Sequence, residues 1–243
     1  MTEDEIQSAA RAMGITLDAA QAGALVRFRD LLVEANRRFN LTALTDDASI
    51  LALHFLDSLT ALPVIRKIHA DLGSAPDLID IGTGGGFPGI PLKIAMPELR
   101  VTLMDGTAKK VRFCAEVIRA LGLRDICAIQ DRAEEAGHRP EHRERYDVVI
   151  ARAVAPMPTL AEYLLPFARL GGTCIAMKGS DAQAEAARAA GAIAKLGGEI
   201  TDVMPVSLPG RDDRRALIVI HKLRPTPQPY PRRGGAARHS PLR

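Results

Sequence analysis

Between an apolar run at 77–81 and a helix-like segment from Pro88, the chain reads Asp80-Ile81-Gly82-Thr83-Gly84-Gly85-Gly86-Phe87-Pro88-Gly89. Glycine stands at every second position behind an acid. A residue without a Cβ takes φ > 0 and lets a ligand approach the backbone closely. A strand, a glycine turn and a helix start, in that order, commit the chain to a crossover on the face of a sheet. They also make a site for a nucleotide-like cofactor.

The rest of the pattern supplies partners for that strand. Strands are predicted at 77–82, 101–105, 126–130, 146–151, 172–177, 200–206 and 215–221, with helices at 88–96, 107–121, 158–169 and 181–196. Such alternation predicts a mostly parallel sheet covered on both faces. The last two strands, with no helix between them, predict an antiparallel hairpin at one edge. The expected fold is α/β: a Rossmann-like, seven-stranded sheet of methyltransferase type with an N-terminal helical extension. In that extension Thr2-x-x-Glu5 forms a capping box for a helix running to Gly14. A second helix runs from Asp18 to Arg38, with Leu25, Phe28, Leu32 and Ala35 at helical spacing. A third spans Asp46 to His69, kinked or ended at Pro63. Three regions follow: an extension at 1–70 packed on the core, a cofactor-binding domain at 71–223, and a basic Pro/Arg-rich tail at 224–243.

No apolar run reaches the roughly 18 residues of a membrane span, and the acidic start Met1-Thr2-Glu3-Asp4-Glu5 is unlike a signal peptide. Cys114, Cys127 and Cys174 are widely spaced and match no metal pattern. These features predict a cytoplasmic protein with reduced thiols, no membrane and no metal, acting as a monomer. The net charge of +3 is uneven: the tail holds five of the 32 Lys and Arg and none of the 29 Asp and Glu, leaving −2 on the remainder. A mobile basic tail fits a polyanionic partner; a solubilising terminus has the same composition.

Gly84-Gly85-Gly86-Phe87-Pro88-Gly89 satisfies the dinucleotide pattern G-x-G-x-x-G. The longer frame, Asp80-x-Gly82-x-Gly84-x-Gly86, instead resembles the first motif of S-adenosylmethionine-dependent methyltransferases. There the acid can accept hydrogen bonds from the cofactor's ammonium, which NAD lacks. Pro88 removes a donor that a pyrophosphate would use. Asp105 ends the next strand, where a carboxylate can hold ribose hydroxyls of either cofactor. The third contact is expected after 126–130, where Asp131, Glu134 and Glu135 are all candidates for the adenine amine. S-adenosylmethionine is favoured over NAD and over a purely structural turn.

The reaction centre is expected where strand 146–151 ends, at Ala151-Arg152-Ala153-Val154-Ala155-Pro156. The polar residue, prolines and aromatic that hold an exocyclic base amine are missing there, and so is the cysteine that attacks pyrimidine carbon 5. The acceptor is therefore expected to be nucleophilic already. Guanine nitrogen 7 meets that demand, with a lone pair on the major-groove edge and no proton to remove. No catalytic side chain is assigned. Arg152 is placed at the rim, against the cofactor's carboxylate or an RNA phosphate, or as a surface arginine without a role.

These residues, with Asn40-Leu41-Thr42-Ala43, His54-Phe55-Leu56-Asp57-Ser58, Arg132-Ala133-Glu134, Met177-Lys178-Gly179 and Tyr230-Pro231-Arg232-Arg233, resemble the bacterial 16S rRNA guanine-7 methyltransferases, the glucose-inhibited division protein B group. The resemblance covers nearly the whole chain. It implies methyl transfer from S-adenosylmethionine to nitrogen 7 of a guanine in the decoding-region loop of 16S rRNA, free or in the small subunit. It also implies cofactor contacts at Gly82, Phe87, Ala133, Glu134 and Arg152, choosing Glu134 over Asp131; Asp105 comes from the site argument alone. With RNA as substrate, Lys178, Arg232 and Arg233 become candidate phosphate contacts, and His54 and Asp57 either border the cofactor mouth or belong to the core. The rival readings are a small-molecule methyltransferase, an NAD-dependent oxidoreductase and an inactive RNA-binding factor on the same fold.

Overall fold

The apolar run after Pro76 forms β1 (Asp77–Ile81) in the middle of the sheet. It pairs in parallel with β2 (Arg100–Asp105) on one side and β4 (Tyr146–Arg152) on the other. Both faces of such a strand are covered, which is why Leu78, Ile79 and Ile81 read as a continuous apolar stretch. The remaining strands are β3 (Ile126–Gln130), β5 (Ala168–Lys178), β6 (Gly198–Val206) and β7 (Arg215–Lys222). The computed structural model describes residues 1–39 and 41–242; Asn40 of the Asn-Leu-Thr-Ala motif and Arg243 lie outside the described residues. Among the described residues the seven strands form one sheet in the order β3-β2-β1-β4-β5-β7-β6. The predicted antiparallel pair is present, with β7 inserted between β5 and β6 and antiparallel to both. That insertion departs from the dinucleotide-binding order 3-2-1-4-5-6.

The helices are α1 (Glu3–Ala12), α2 (Ala19–Phe39), α3 (Asp47–Ser49), α4 (Asp57–Leu59), α5 (Leu62–Leu72), α6 (Gly89–Ala95), α7 (Ala108–Ala120), α8 (Ala133–Ala136), α9 (Met157–Leu164), α10 (Ala182–Lys195) and α11 (Ala236–His239). The capping box at Thr2 and Glu5 is formed. The helix expected at 158–169 stops at Leu164, because Pro166 cannot continue it, and β5 begins at Ala168. The helix expected at 46–69 is subdivided: a π-helical stretch, Ile50–Leu56, separates α3 from α4, and Pro63 opens α5 instead of ending the run. Residues 47–72 are together long and apolar enough to cross a membrane by length and composition, but 56% of the apolar window is buried inside the protein.

The N-terminal helices share one apolar cluster with a face of the sheet: Phe28, Leu32, Phe55 and Leu59 pack with Ile90, Leu103, Phe113 and Val117. Each such fully buried side chain contributes about 1.5–3 kcal/mol of transfer free energy. The opposite face is filled by Val149, Leu160, Leu164, Cys174 and Ile218.

The tail, expected to be mobile, is folded back onto the body. Its prolines leave backbone carbonyls without matching N–H groups, and side chains of the body supply the donors. Arg143 donates to the carbonyls of Thr226 (2.6 Å) and Tyr230 (2.7 Å), and His138 Nε2 lies 2.6 Å from the carbonyl of Pro231.

Candidate functional site

At the carboxyl ends of β1 to β4 the chain leaves two clefts, of about 650 and 660 Å³, that meet at Ala153 and Val154. The first is lined by Gly82, Asp105, Ala133 and Glu134; the second by His54, Asp57, Arg152, Lys178 and Arg215. Ala153 itself holds φ 55°, a conformation few non-glycine residues adopt, directly after β4.

The glycine loop shapes the first cleft. Gly82 has φ 71°, and its N–H and that of Thr83 both donate to the Met104 carbonyl, folding the loop over the end of β2. A Cβ at Gly82 would stand 2.7 Å from Val154 Cγ2. At Gly86, φ is 92° and a Cβ would strike Ile90 at Cδ1 and Cγ1. Gly86 can therefore lie this close to the helix it feeds only without a side chain.

Asp80 is fully buried beneath this loop, so the expected reach to a cofactor ammonium is corrected. Its Oδ2 accepts from Thr83 Oγ1 (2.6 Å) and from the Gly89 N–H (2.9 Å), tying β1 to the start of α6. Asp105 does face the cleft. Its carboxylate accepts from the N–H groups of Gly84 (3.1 Å) and Thr107 (2.8 Å), with Lys110 at 3.5 Å. Of the three acids after β3, Asp131 is paired with Arg139 at 2.8 Å and Glu135 with Arg233 at 3.3 Å. Among the described residues Glu134 pairs only with Arg132, at 3.9 Å, so its carboxylate is the least engaged of the three. Ala133 is buried at the start of α8, which has no side-chain cap; the Glu135 and Ala136 N–H groups donate to the Arg132 carbonyl, leaving those of Ala133 and Glu134 without an intrahelical partner.

Phe87 lines neither cleft. Its ring stacks on His54 at 4.3 Å and on Phe28 at 5.0 Å, plugging the space under the loop. Arg152 is no idle surface arginine. One Nη donates to the Leu53 carbonyl and to Asp57 Oδ2, each at 2.7 Å, and the other meets His54 Nδ1 at 3.1 Å. Its guanidinium also lies 5.3 Å from the Phe87 ring centroid. A guanidinium only donates, so Nδ1 of His54 is the acceptor, and Nε2 carries the proton toward Thr42 Oγ1 at 2.8 Å. The π-helical stretch serves this contact: the Asp57 N–H bonds back to the Ala52 carbonyl, and the carbonyl of Leu53 turns to Arg152. Asp57 holds a second arginine, Arg215, at 3.0 Å.

Lys178 and Arg232, expected as phosphate contacts, turn inward. Lys178 Nζ donates to the Ala155 carbonyl (2.7 Å) and to Glu185 (2.8 Å), which also takes the Met157 N–H, so the pair fixes the segment after β4. Arg232 donates through its backbone N–H, Nε and Nη2 to Glu162, a fully buried carboxylate that requires such a partner. Both are corrected to positioning roles. Arg233 alone of the three is well exposed, over Glu135.

Two buried groups give opposed pH dependences. Burial raises the Asp80 carboxyl to about 6, against hydrogen bonds from Thr83 and Gly89 that pull it down. His54 is lowered to about 4, first by burial and then by the Arg152 charge. Between pH 3.8 and about 6 the folded chain holds more protons at Asp80 than the unfolded chain, so this contribution to stability falls as pH rises. Between about 4 and 6.5 the folded chain holds fewer at His54, and that contribution rises. Asp80→Asn removes the falling part, worth about 3 kcal/mol. Its stability in urea is expected to climb more steeply from pH 4 to 6.5 than the wild type's; parallel curves would contradict this titration of Asp80.

The family model described as rRNA small subunit methyltransferase G matches residues 21–214. The chain is 46% identical over 233 residues to the ribosomal RNA small subunit methyltransferase G of Acetivibrio thermocellus, covering 96% of this chain and 93% of that one. It is 48% identical to the protein of the same name from Roseiflexus sp. (strain RS-1), covering 98% and 99%. Among solved structures it resembles the magnesium protoporphyrin IX methyltransferase of Synechocystis PCC 6803, with a TM-score of 0.55 at 16% identity, covering 85% of this chain and 98% of that one. The 16S rRNA (adenine(1408)-N(1))-methyltransferase of Catenulisporales acidiphilia gives 0.52 at 16%, covering 67% and 92%. Those two likenesses concern the fold alone.

Proposed function

Because the chain belongs to the rRNA small subunit methyltransferase G family, we propose that its paired clefts bring a methyl donor and a guanine of 16S rRNA into contact where the clefts meet, beside Ala153 and Val154. It is an S-adenosylmethionine-dependent rRNA methyltransferase; the guanine nitrogen 7 in the decoding-region loop is the acceptor of this reading. The observation that carries it is the meeting, at Ala153 and Val154, of the cleft of the glycine loop and the cleft of Arg152. The residues fit the cofactor: glycines at 82, 84, 85 and 86 in the loop, a carboxylate at Asp105 for ribose hydroxyls, and the lightly engaged Glu134 beside the unpartnered N–H of Ala133 for adenine. Gly82, Asp105, Ala133 and Glu134 would hold it directly, while Phe87 and Arg152 brace the loop and the cleft junction from behind.

Bound S-adenosylmethionine supplies a methyl group on a sulfonium, already activated for transfer. The chain's residues orient the acceptor and exclude water. Nitrogen 7 carries a lone pair and no proton, so no base is required. Among the described residues of this cleft, His54 is held neutral with Nδ1 accepting from Arg152, Asp57 is bound by two arginines, and Glu185 is paired with Lys178. Val154, Pro156, Met177 and Leu217 give the acceptor cleft apolar walls, and alignment supplies the acceleration. Cys114 and Cys174 are buried with their thiols pushed up in pKa, Cys174 to about 12, so neither offers a thiolate.

The reading places the protein in the cytoplasm, acting as a monomer on 16S rRNA or the small subunit. Incubation with isotopically labelled methyl donor and undermethylated small subunits, followed by mass spectrometry, is expected to locate the label on nitrogen 7 of a single guanine; label elsewhere or none at all would overturn it. Replacing all three cysteines by Ala or Ser is expected to leave transfer within about threefold of wild type. A covalent adduct at any of them would exclude direct displacement.

A further inference from the structure

The folded tail lines the first cleft. Gly234, Gly235, Arg238 and His239 line it together with Glu134, Glu135 and Tyr163, and none of the four lines the Arg152 cleft. This approach is built into the packing. Arg232 is clasped by the buried Glu162, Thr159 Oγ1 donates to the Ala237 carbonyl at 2.9 Å, and Ala237 is fully buried. Arg233 reaches Glu135, the neighbour of Glu134. Glu162 and Tyr163 are adjacent on α9, one anchoring the tail and the other walling the cleft. A Cβ at Gly137 would strike Pro231 at 2.8 Å, so the body is cut away where the tail turns.

We propose that residues 234–239 are the outer wall of the cofactor site, and that Arg238 contacts its adenosyl end. The inference rests on the reading of this cleft as the S-adenosylmethionine site. The tail's own contacts put it beside the acids after β3: Arg233 pairs with Glu135, and Tyr163 feels the charges of both Glu134 and Arg238. Arg238 is exposed and its side chain makes no hydrogen bond or ion pair with any described residue, although its charge acts on Tyr163. A planar guanidinium in this place can stack on a purine face. Two successive glycines with positive φ, Gly234 and Gly235, bring the backbone to the cleft without side chains in between. The tail therefore recognises the small cofactor, and its arginines are not primarily an RNA-binding arm.

The test is calorimetric titration of S-adenosylhomocysteine and of 5′-methylthioadenosine, which lacks the amino-acid end, into three proteins. These are the full chain, a chain ending at Arg233 that keeps the Glu162 clasp, and Arg238→Ala. The shortened chain is expected to bind both compounds about tenfold or more weakly, and Arg238→Ala about threefold or more weakly. Arg238→Ala, a change at an exposed position, is expected to keep the ligand-free unfolding midpoint and so remains informative if the shortened chain fails to fold. Unchanged affinity in Arg238→Ala, or a loss confined to S-adenosylhomocysteine, overturns the adenosyl contact. Unchanged S-adenosylhomocysteine affinity with weakened binding to 16S rRNA would return the tail to RNA. If the full chain itself binds neither compound, the functional reading fails and this inference with it.

Discussion

Gly82→Val is expected to weaken binding of S-adenosylhomocysteine by at least about a hundredfold, near 2.7 kcal/mol. Two costs coincide at this position. A β-branched residue at φ 71° is strained, by about 1–3 kcal/mol. Its Cβ would also stand 2.7 Å from Val154 Cγ2, so the Val154 wall must be displaced, into one cleft or the other. The sheet should survive, because the flanking contacts of β1 with β2 and β4 do not involve a side chain at 82. Calorimetry measures the affinity and far-ultraviolet circular dichroism the fold. Affinity within about twofold of wild type, with the fold intact, would mean that the ligand site lies away from the loop.

Arg152→Ala should carry the largest cost to stability, about 3–5 kcal/mol in urea at pH 7. Arg152 joins two segments: the extension, through the Leu53 carbonyl, the His54 ring and Asp57, and the end of β4. Removing it leaves Asp57, only 3% exposed, with Arg215 alone, and deprives the Leu53 carbonyl of its donor. Arg152→Lys keeps the charge but loses the fork that serves several acceptors at once, so it is expected to recover only part of the loss. The Arg152 charge also helps hold His54 down, so the His54 pKa, followed by NMR, should rise in Arg152→Ala. A loss below about 1 kcal/mol with an unmoved His54 would show that the joint lies elsewhere.

The central strands were legible because burial on both faces leaves a continuous apolar run, as at Leu78–Ile81, and the glycine loop because only glycine tolerates its dihedrals. Helix 158–169 was overextended because Phe167 and Ala168 continue the apolar spacing past Pro166, although their backbone turns into β5. The π-helical turn has no local signature; Arg152, about a hundred residues away, takes up the carbonyl it presents. Ala153 has positive φ without being Gly or Asn, so nothing in its identity announces the junction of two clefts. The tail was misjudged for a related reason. Its prolines correctly ruled out long regular structure, but its order comes from His138, Arg143 and Glu162, whose contacts with it span 70 to 93 residues of sequence. Lys178 and Arg232 read as free cations because their partners, Glu185 and Glu162, lie on helices whose inward faces only the folded chain defines.

Ala153 and Val154 border both cavities, so neither compartment can change shape in isolation. Whatever free energy donor binding confers on, or withholds from, nucleic-acid docking must be returned in equal measure when docking comes first. Under the proposed reading the spent donor occupies the same cleft as the donor, so any such coupling acts on release of the methylated RNA as well as on its docking.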